Sequence, residues 1–142
     1  MTQGQRSLRY REVAVGTELP ALAIPVTTTL IVAGAIASRD YQVVHHDTHA
    51  AQRAGTPDII MNILTTNGLV GRYVTDWAGP EARVQKVAIK LGAPNLPGDT
   101  MTLTGRVVAK EAGQGAVEVE VAGKNSMGNH VTGTVRVALA EG

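Results

Sequence analysis

The spacing of apolar residues changes near residue 80, and this change limits the folds open to the chain. Between Ile60 and Trp77 the apolar side chains recur every three or four residues, which is the pattern of an amphipathic helix of about four turns. From Val84 onward they alternate with other residues, which is the pattern of β-strands. The sequence therefore predicts one long helix that ends at Ala78-Gly79-Pro80, followed by a sheet.

Four strands are predicted in the second half of the chain. Turn-forming sequences separate them at residues 94–99, 113–115 and 127–129, and this spacing favours an antiparallel meander. The alternating apolar residues that mark the strands run from Val84 to Leu91, Met101 to Val107, Val117 to Val121 and Val131 to Leu139. A long helix that buries one face against an antiparallel sheet is an α+β arrangement.

The first half of the chain is more polar, and its predicted elements are shorter. We expect residues 1–20 to form a polar lead-in, partly disordered, and residues 21–142 to form a single domain. A strand is predicted from Ala21 to Val26. A helix is predicted to start at Thr27-Thr28-Thr29 and stop near Asp40, and a short helix to run from about Thr48 to Arg53.

Composition excludes several classes of function. The formal net charge is +1 and charged residues make up 18% of the chain, so no broad basic face is available for nucleic acid or an acidic membrane. The absence of cysteine excludes disulfides and thiolate metal sites. No apolar run is typical of a signal peptide or a membrane span, so we expect a cytoplasmic protein. A core without phenylalanine buries less surface per residue, so we also expect an oligomer.

The residues that could do chemistry cluster between positions 40 and 49. Three of the four histidines lie in His45-His46-Asp47-Thr48-His49, and Asp40 precedes the first by five residues. An imidazole titrates at ~6.5, near neutrality, and a carboxylate beside it can orient the ring, so Asp40 and His45 could act as an acid/base pair around one water molecule. Two other interpretations remain open: Asp40 caps a helix end beside a solvated loop, or His45, Asp47 and His49 bind a metal ion.

The same segment resembles the motif of a known family. The run Asp40-Tyr41-Gln42-Val43-Val44-His45 looks like the Asp-x-Asn-Pro-aliphatic-His signature of MaoC-like (R)-specific enoyl-CoA hydratases, with the same interval from Asp to His. A proline-bearing turn that ends in Gly98-Asp99, followed by a strand that contains Gly105, is similar to a second motif of that family. The resemblance extends from about Ala21 to Leu139.

The resemblance implies a fold and an activity. The fold would be the hot-dog fold, an antiparallel sheet wrapped around a long central helix. The activity would be the hydration of a trans-2-enoyl-CoA to a 3-hydroxyacyl-CoA, with Asp40 and His45 as the catalytic residues. Neither a metal ion nor a cofactor is implied, apart from the coenzyme A that is part of the substrate. The family's Asn-Pro pair is replaced by Gln42-Val43, so the loop lacks the rigidity of proline.

Further site residues follow from the same resemblance. The backbone N–H of Ile63, at the start of the long helix, is expected to bind the thioester oxygen. The family commonly has His-Gly there, whereas this chain has Asn62-Ile63; if Ile63 is ordinary helix core, a partner chain must supply the thioester groove. Substrate contacts are expected at Asn62, Tyr73 and Trp77, although aromatic residues at helical spacing also fit a core or a subunit interface.

Basic residues offer contacts for the phosphate groups of coenzyme A. The candidates are Arg72, Arg83, Lys86 and Lys90, although scattered basic residues are commonly only solvated. No chemistry is predicted for His46 or His49, and His130 is expected to be structural.

One subgroup of the family is more similar than the rest. The runs Arg39 to Asp47, Asn62-Ile63-Leu64 and Arg72 to Pro80 resemble the small subunits of actinobacterial steroid side-chain hydratases. In that subgroup two different MaoC-like chains form a heterotetramer, and the small subunit carries the Asp/His pair for a steroid enoyl-CoA. The resemblance implies a second MaoC-like chain in a heterotetramer, or a homodimer. Two alternatives are a non-catalytic hot-dog subunit and a hot-dog acyl-CoA thioesterase.

Overall fold

A computed structural model describes residues 5–141 of the chain. In chain order its elements are β1 (Glu18–Pro25), α1 (Thr28–Ala37), α2 (Thr48–Arg53), α3 (Ile63–Ala78), β2 (Arg83–Leu91), β3 (Thr100–Glu111), β4 (Ala116–Asn125) and β5 (Gly128–Ala138). Short 3₁₀ turns lie at Tyr10–Glu12, Val43–His45 and Ala112–Gln114. Within this range, no helix is long and apolar enough to cross a membrane.

The strands form one antiparallel sheet in the order β1-β3-β4-β5-β2. The strands β3, β4 and β5 form a meander, as predicted. The prediction of a four-strand meander is wrong for β2, which pairs with β5 at the edge of the sheet and not with β3. The connection over residues 92–99 holds Pro94 and Pro97 and is too long for a tight hairpin, so β2 and β3 need not be neighbours.

The long helix α3 packs one face against the sheet. Its buried residues are spaced by three, four or one positions, as the sequence pattern predicted, and they are Thr66, Val70, Tyr73, Val74 and Ala78. The sheet meets them with fully buried apolar side chains that alternate along the strands, among them Leu103, Val107, Val119, Val135 and Val137. The helix ends at Gly79, with a φ of 93°, where the sequence predicted a stop. The predicted α+β class is confirmed.

The N-terminal segment lies against the C-terminal end of α3. Leu8 N–H donates to the carbonyl of Ala78 at 2.8 Å, and Tyr10 N–H donates to the carbonyl of Ala140 at 3.1 Å. Val13 is 3% exposed and belongs to the core. Ordered structure therefore starts before residue 21, where the sequence placed the start of the domain, and residues 1–4 of the predicted lead-in lie outside the described range.

Candidate active site

Asp40 follows the end of α1 at a sharp turn of the backbone. The N–H of Arg39 donates to the carbonyl of Ile36 at 3.0 Å, and the N–H of Asp40 donates to the carbonyl of Ala35 at 2.9 Å. This pair of hydrogen bonds is the Schellman motif, with Arg39 in the left-handed position at a φ of 57°. The end of the helix thus fixes the position from which the Asp40 side chain extends.

The side chains of Asp40 and His45 lie together. Asp40 Oδ2 is 3.2 Å from His45 Nε2, and the two side chains are 23% and 8% exposed. His45 ends the 3₁₀ turn Val43–His45, and its Nδ1 is 2.7 Å from the carbonyl oxygen of Ile60. Because a carbonyl can only accept, Nδ1 carries a hydrogen and donates it, and this bond directs Nε2 towards Asp40.

Asn62 is the third member of this cluster, in a different role from the one predicted. It is 2% exposed, and its side-chain hydrogen bonds are made with protein groups, while its contact with substrate stays a prediction. The amide Nδ2 donates to Asp40 Oδ2 at 3.1 Å and to Ser38 Oγ at 2.9 Å, while Oδ1 accepts from the Thr65 N–H at 3.1 Å and caps α3. Asn62 therefore joins the end of α1 to the start of α3 and orients the carboxylate.

These hydrogen bonds favour the ionised form of Asp40. The Asn62 amide is the main cause that lowers the pKa of the Asp40 carboxyl. Partial burial opposes this effect, and the Gln42 N–H, 3.3 Å from Oδ1, and the neighbouring His45 ring reinforce it. The site thus holds a carboxylate acceptor beside an imidazole nitrogen at neutral pH.

The first turn of α3 presents amides and apolar side chains at the protein surface. Ile63 and Leu64 are 49% and 51% exposed, so Ile63 is not the helix core residue that one interpretation of the sequence allowed. The N–H groups at the start of a helix have no partner inside the helix, and the N–H of Ile63 is the first of α3. A partly negative oxygen could be bound there.

A groove runs between α1 and α3 beside this cluster. Its volume is about 390 Å³, and small residues line much of it: Gly34, Ala37, Ser38, Thr65 and Gly68, with Leu64, Leu69 and Arg72. Ser38 belongs both to the groove and to the hydrogen-bond network of Asn62. Asn62, which binds both Ser38 and Asp40, therefore links the groove to the Asp40 carboxylate.

The two aromatic residues that the sequence placed in the substrate groove lie elsewhere. With a rise of about 1.5 Å per residue, Tyr73 and Trp77 are roughly 16 Å and 22 Å along α3 from Asn62. Tyr73 is 4% exposed and its hydroxyl donates to the Pro20 carbonyl at 2.8 Å, while burial raises its pKa. Trp77 is partly buried against the core, beside a cavity of about 210 Å³ formed with β1. Neither residue lines the groove beside Asp40, and their contact with substrate stays a prediction.

The predicted phosphate contacts are not gathered in one place. Arg72 lines the groove and forms an ion pair with Asp76 at 3.2 Å. Arg83, Lys86 and Lys90 are exposed on the edge strand β2, and the first and last of them are about 23 Å apart at 3.3 Å per residue. One coenzyme A phosphate group cannot meet all four.

The remaining polar residues of the segment have local roles. Asp47 caps α2, since its Oδ1 accepts from the Ala50 N–H at 3.0 Å, and this hydrogen bond is the main cause that lowers its pKa. His46 and His49 are exposed. Among residues 5–141 no group of three or more ligating side chains could hold a metal ion.

Sequence reasoning missed three contributors to the site: Ser38, Thr65 and the carbonyl of Ile60. Ser38 and Thr65 are small polar residues without a motif, and the Ile60 carbonyl belongs to the backbone. One signal was available for Asn62, because asparagine before an amphipathic helix is a common N-cap.

The sequence of this chain matches a known family and a characterised relative. A family model described as MaoC like domain matches residues 12–136. The 3-oxo-4,17-pregnadiene-20-carboxyl-CoA hydratase beta subunit of Mycobacterium tuberculosis is 46% identical over 127 residues, which cover 89% of this chain and 97% of that protein.

Solved structures agree with these sequence matches. A chain of the ChsH1-ChsH2 complex from Mycobacterium tuberculosis has a TM-score of 0.87 at 46% identity, and the match covers 89% of this chain and 98% of that one. The unliganded R-hydratase PhaJ1 from Pseudomonas aeruginosa has a TM-score of 0.87 at 19% identity, with 96% and 88% covered, and shows a shared fold. The predicted hot-dog fold and the resemblance are confirmed.

Proposed function

This chain belongs to the MaoC-like domain family, and we propose that it is a catalytic subunit that hydrates a trans-2-enoyl-CoA to a 3-hydroxyacyl-CoA. The observation that carries the proposal is the contact between Asp40 Oδ2 and His45 Nε2 at 3.2 Å. The pair lies at a position where the carboxylate is still partly open to solvent, so a water molecule can reach both groups.

The pair has the chemistry that water addition needs. Asp40 is held as a carboxylate and can accept a proton from water, while the same water oxygen attacks the β-carbon of the double bond. One proton is then delivered from the Asp40–His45 pair to the α-carbon. The pair takes up one proton and gives up one proton, so it returns to its starting state after each turnover.

Negative charge develops on the thioester oxygen as water attacks, and the start of α3 is placed to stabilise it. The N–H of Ile63 follows directly after Asn62, whose side chain binds Asp40. A helix N-terminal N–H carries partial positive charge and does not need a particular side chain for this purpose. We assign the thioester contact to this backbone group.

The groove between α1 and α3 is proposed to hold the acyl group. Gly34 packs closely against Thr65 at its floor, whereas Gly68 faces open space and Leu64 and Leu69 supply apolar surface for an acyl group. The relative from Mycobacterium tuberculosis is the beta subunit of a hydratase named for a pregnadiene carboxyl-CoA, which is a steroid acyl-CoA. We therefore propose a bulky steroid-type acyl group as the substrate of this chain.

Glycine positions in α3 allow a test of the groove. A side chain at Gly68, which lines the groove, or at Gly71, which does not, meets nothing within 4 Å. Gly68→Leu should raise KM for a polycyclic enoyl-CoA by about 10-fold or more and affect trans-2-butenoyl-CoA less. Gly71→Leu is the matched control. Equal effects of both variants on both substrates would contradict the assignment.

A partner chain is proposed to cover the site. Large apolar side chains are exposed on both sides of Asp40, at Ile36, Tyr41 and Val43, and at Ile63 and Leu64 on α3. Several large apolar side chains exposed around one site favour a contact surface there. Since the matched relative was crystallised as the ChsH1-ChsH2 complex, we propose a second MaoC-like chain in a heterotetramer, with a homodimer as the alternative outcome.

The decisive experiment replaces Asp40 by Asn, which keeps the size and removes the charge. Hydration, followed by the loss of enoyl-thioester absorbance, should fall by about 10²–10⁴-fold while the fold is retained. Asp76→Asn, an exposed aspartate near the far end of α3, should keep full activity. The assay is run on the chain alone and with any MaoC-like chain that co-purifies with it.

The same assay distinguishes the alternatives. Retained activity of Asp40→Asn in the presence of the partner would favour a non-catalytic subunit. Release of free coenzyme A thiol without hydration would favour a thioesterase.

A further inference from the structure

Arg39 adopts a backbone conformation that its side chain does not favour. Its φ is 57°. Among residues 5–141 seven residues have a positive φ; six of them are glycines, and Arg39 is the seventh. The position after a helix end is commonly filled by glycine or asparagine, because a Cβ is strained there. The turn that sets Asp40 therefore does not require arginine.

The charge of Arg39 is not used inside the described chain. The residue is exposed, and its guanidinium group is in none of the ion pairs found between residues 5 and 141. The groups that lower the pKa of Asp40 are Asn62, Gln42 and His45, and Arg39 is not among them. Arg39 thus adds a cation beside the site without stabilising the neighbouring carboxylate.

The surroundings of Arg39 favour an anionic ligand. Along the chain the carboxylates nearest to Arg39 are Asp40, which is already bound by Asn62 and His45, and Asp47, which caps α2. A guanidinium offers several N–H donors in one plane and binds phosphate oxygens in pairs. Strained residues that persist at the edge of a site commonly serve the ligand of that site.

We propose that Arg39 binds a phosphate group of the coenzyme A part of the substrate. This inference rests on the proposed function and adds to it a contact between protein and ligand. It replaces the scattered basic residues Arg83, Lys86 and Lys90 by one arginine that is bonded directly to Asp40 in the chain.

The test compares stability and binding, which should change in opposite directions. Arg39→Gly removes the strain and the charge together, so Tm should rise by about 2–4 °C. KM for a trans-2-enoyl-CoA should rise by about tenfold with kcat unchanged, because a charged hydrogen bond to phosphate is lost. KM for the same enoyl group on N-acetylcysteamine, which lacks phosphate, should not change.

Two further variants serve as controls. Arg39→Lys keeps a positive charge but loses the planar donor pair, so its KM should lie between those of wild type and Arg39→Gly. Arg106→Gln removes an exposed arginine from β3, on the face of the sheet away from α3, and should leave both KM values unchanged. Added salt should raise the wild-type KM for the CoA ester more than that of Arg39→Gly.

Several outcomes would overturn the inference. The first is an unchanged KM of Arg39→Gly for the CoA ester. The second is an equal rise in KM for both thioesters, which would mean that Arg39 acts only on the position of Asp40. Binding of butyryl-CoA, which cannot be hydrated, is measured by calorimetry in parallel. If wild type hydrates nothing but its affinity for butyryl-CoA depends on Arg39, the proposed function fails and the phosphate contact stands. If butyryl-CoA does not bind, the contact fails too.

Discussion

Two buried histidines lie near the first turn of α3, and they are held in the same way on one side of the ring. His45 Nδ1 is 2.7 Å from the carbonyl of Ile60, and His130 Nδ1 is 2.7 Å from the carbonyl of Ala93. In each case the ring donates to a backbone oxygen, which leaves Nε2 as the variable atom.

The two rings differ in what faces Nε2. For His130, which is 1% exposed, it is the hydroxyl of Thr66 at 2.8 Å. Both ring nitrogens of His130 therefore have a partner inside the protein. For His45 it is the carboxylate of Asp40, which is itself 23% exposed. The His130 ring is surrounded by core residues. The His45 ring is next to a carboxylate that is partly exposed to solvent, so we call Asp40–His45 the open pair and Thr66–His130 the closed pair. Since both rings are buried, the partner of Nε2 is the feature that distinguishes the histidine we propose to be catalytic from the structural one.

The largest expected effect comes from breaking the open pair. His45→Gln should reduce kcat/KM by about 10²–10⁴-fold, because glutamine cannot exchange the proton. Its effect on the free energy of unfolding should stay below about 1.5 kcal/mol, since one hydrogen bond to Ile60 is lost. Enoyl-thioester absorbance and urea unfolding measure the two quantities. Wild-type kcat/KM in the folded variant would remove His45 from the reaction.

Breaking the closed pair should do the reverse. His130→Leu leaves the Ala93 carbonyl without its partner and the Thr66 hydroxyl with only the 3.5 Å contact to the Asn62 carbonyl, so it should lower the free energy of unfolding by about 2–4 kcal/mol. kcat/KM per folded molecule should remain that of wild type. His49→Leu, at an exposed histidine, should change stability by no more than about 0.5 kcal/mol. An activity loss as large as that of His45→Gln would show that the two rings are not separable.

A smaller effect is expected from Asn62, which tunes the open pair. Asn62→Ser keeps a cap for α3 but removes the amide that is the main cause of the lowered Asp40 pKa. The Asp40 pKa should then rise, so the acid limb of the kcat/KM profile should move to higher pH, while kcat/KM at neutral pH should change little because the carboxyl is still ionised there. Asn67→Ser, in the same helix, is the control. An acid limb that stays in place would mean that Asn62 is only a helix cap.

The smallest effect concerns the pH dependence of stability. Burial lowers the pKa of His130 below its unfolded value of about 6.5, so the unfolded chain binds the proton first as the pH falls. This contribution to stability is complete above about pH 6.5 and is lost below it, by at most about 1.4 kcal/mol per pH unit. Urea midpoints across this range should show the loss in wild type. In His130→Leu this component should be absent; an unchanged slope would assign the titration to another group.

Local signals made part of this structure predictable. The short helix Thr48–Arg53 and the end of α3 at Gly79 agree with the sequence, because capping and glycine stops act within a few residues. The pairing of β2 with β5 was missed, because the order of strands depends on distant segments. Periodicity predicts which face of a strand is buried and says nothing about its neighbour.

The candidate site also has a part that the sequence predicted and a part that it did not. The interval between Asp40 and His45 was enough to propose the pair, but the contacts that orient it come from Ile60 and Asn62, which tertiary packing brings in. Tyr73 was expected to face the substrate, but its side chain is buried against the core and its hydroxyl binds the Pro20 carbonyl, because its position on α3 turns it towards the sheet and β1.

The pairing of the N-terminal segment with Ala140 has a practical consequence for assembly. Residues 8–10 and 140 lie side by side at the C-terminal end of α3, about 22 Å from its first residue by the helix rise. An affinity handle or a fused second chain attached at either terminus is therefore anchored near the same corner of the molecule. That corner is at the opposite end of α3 from Ile63, so a tethered companion can be captured or linked without covering the first turn of the helix.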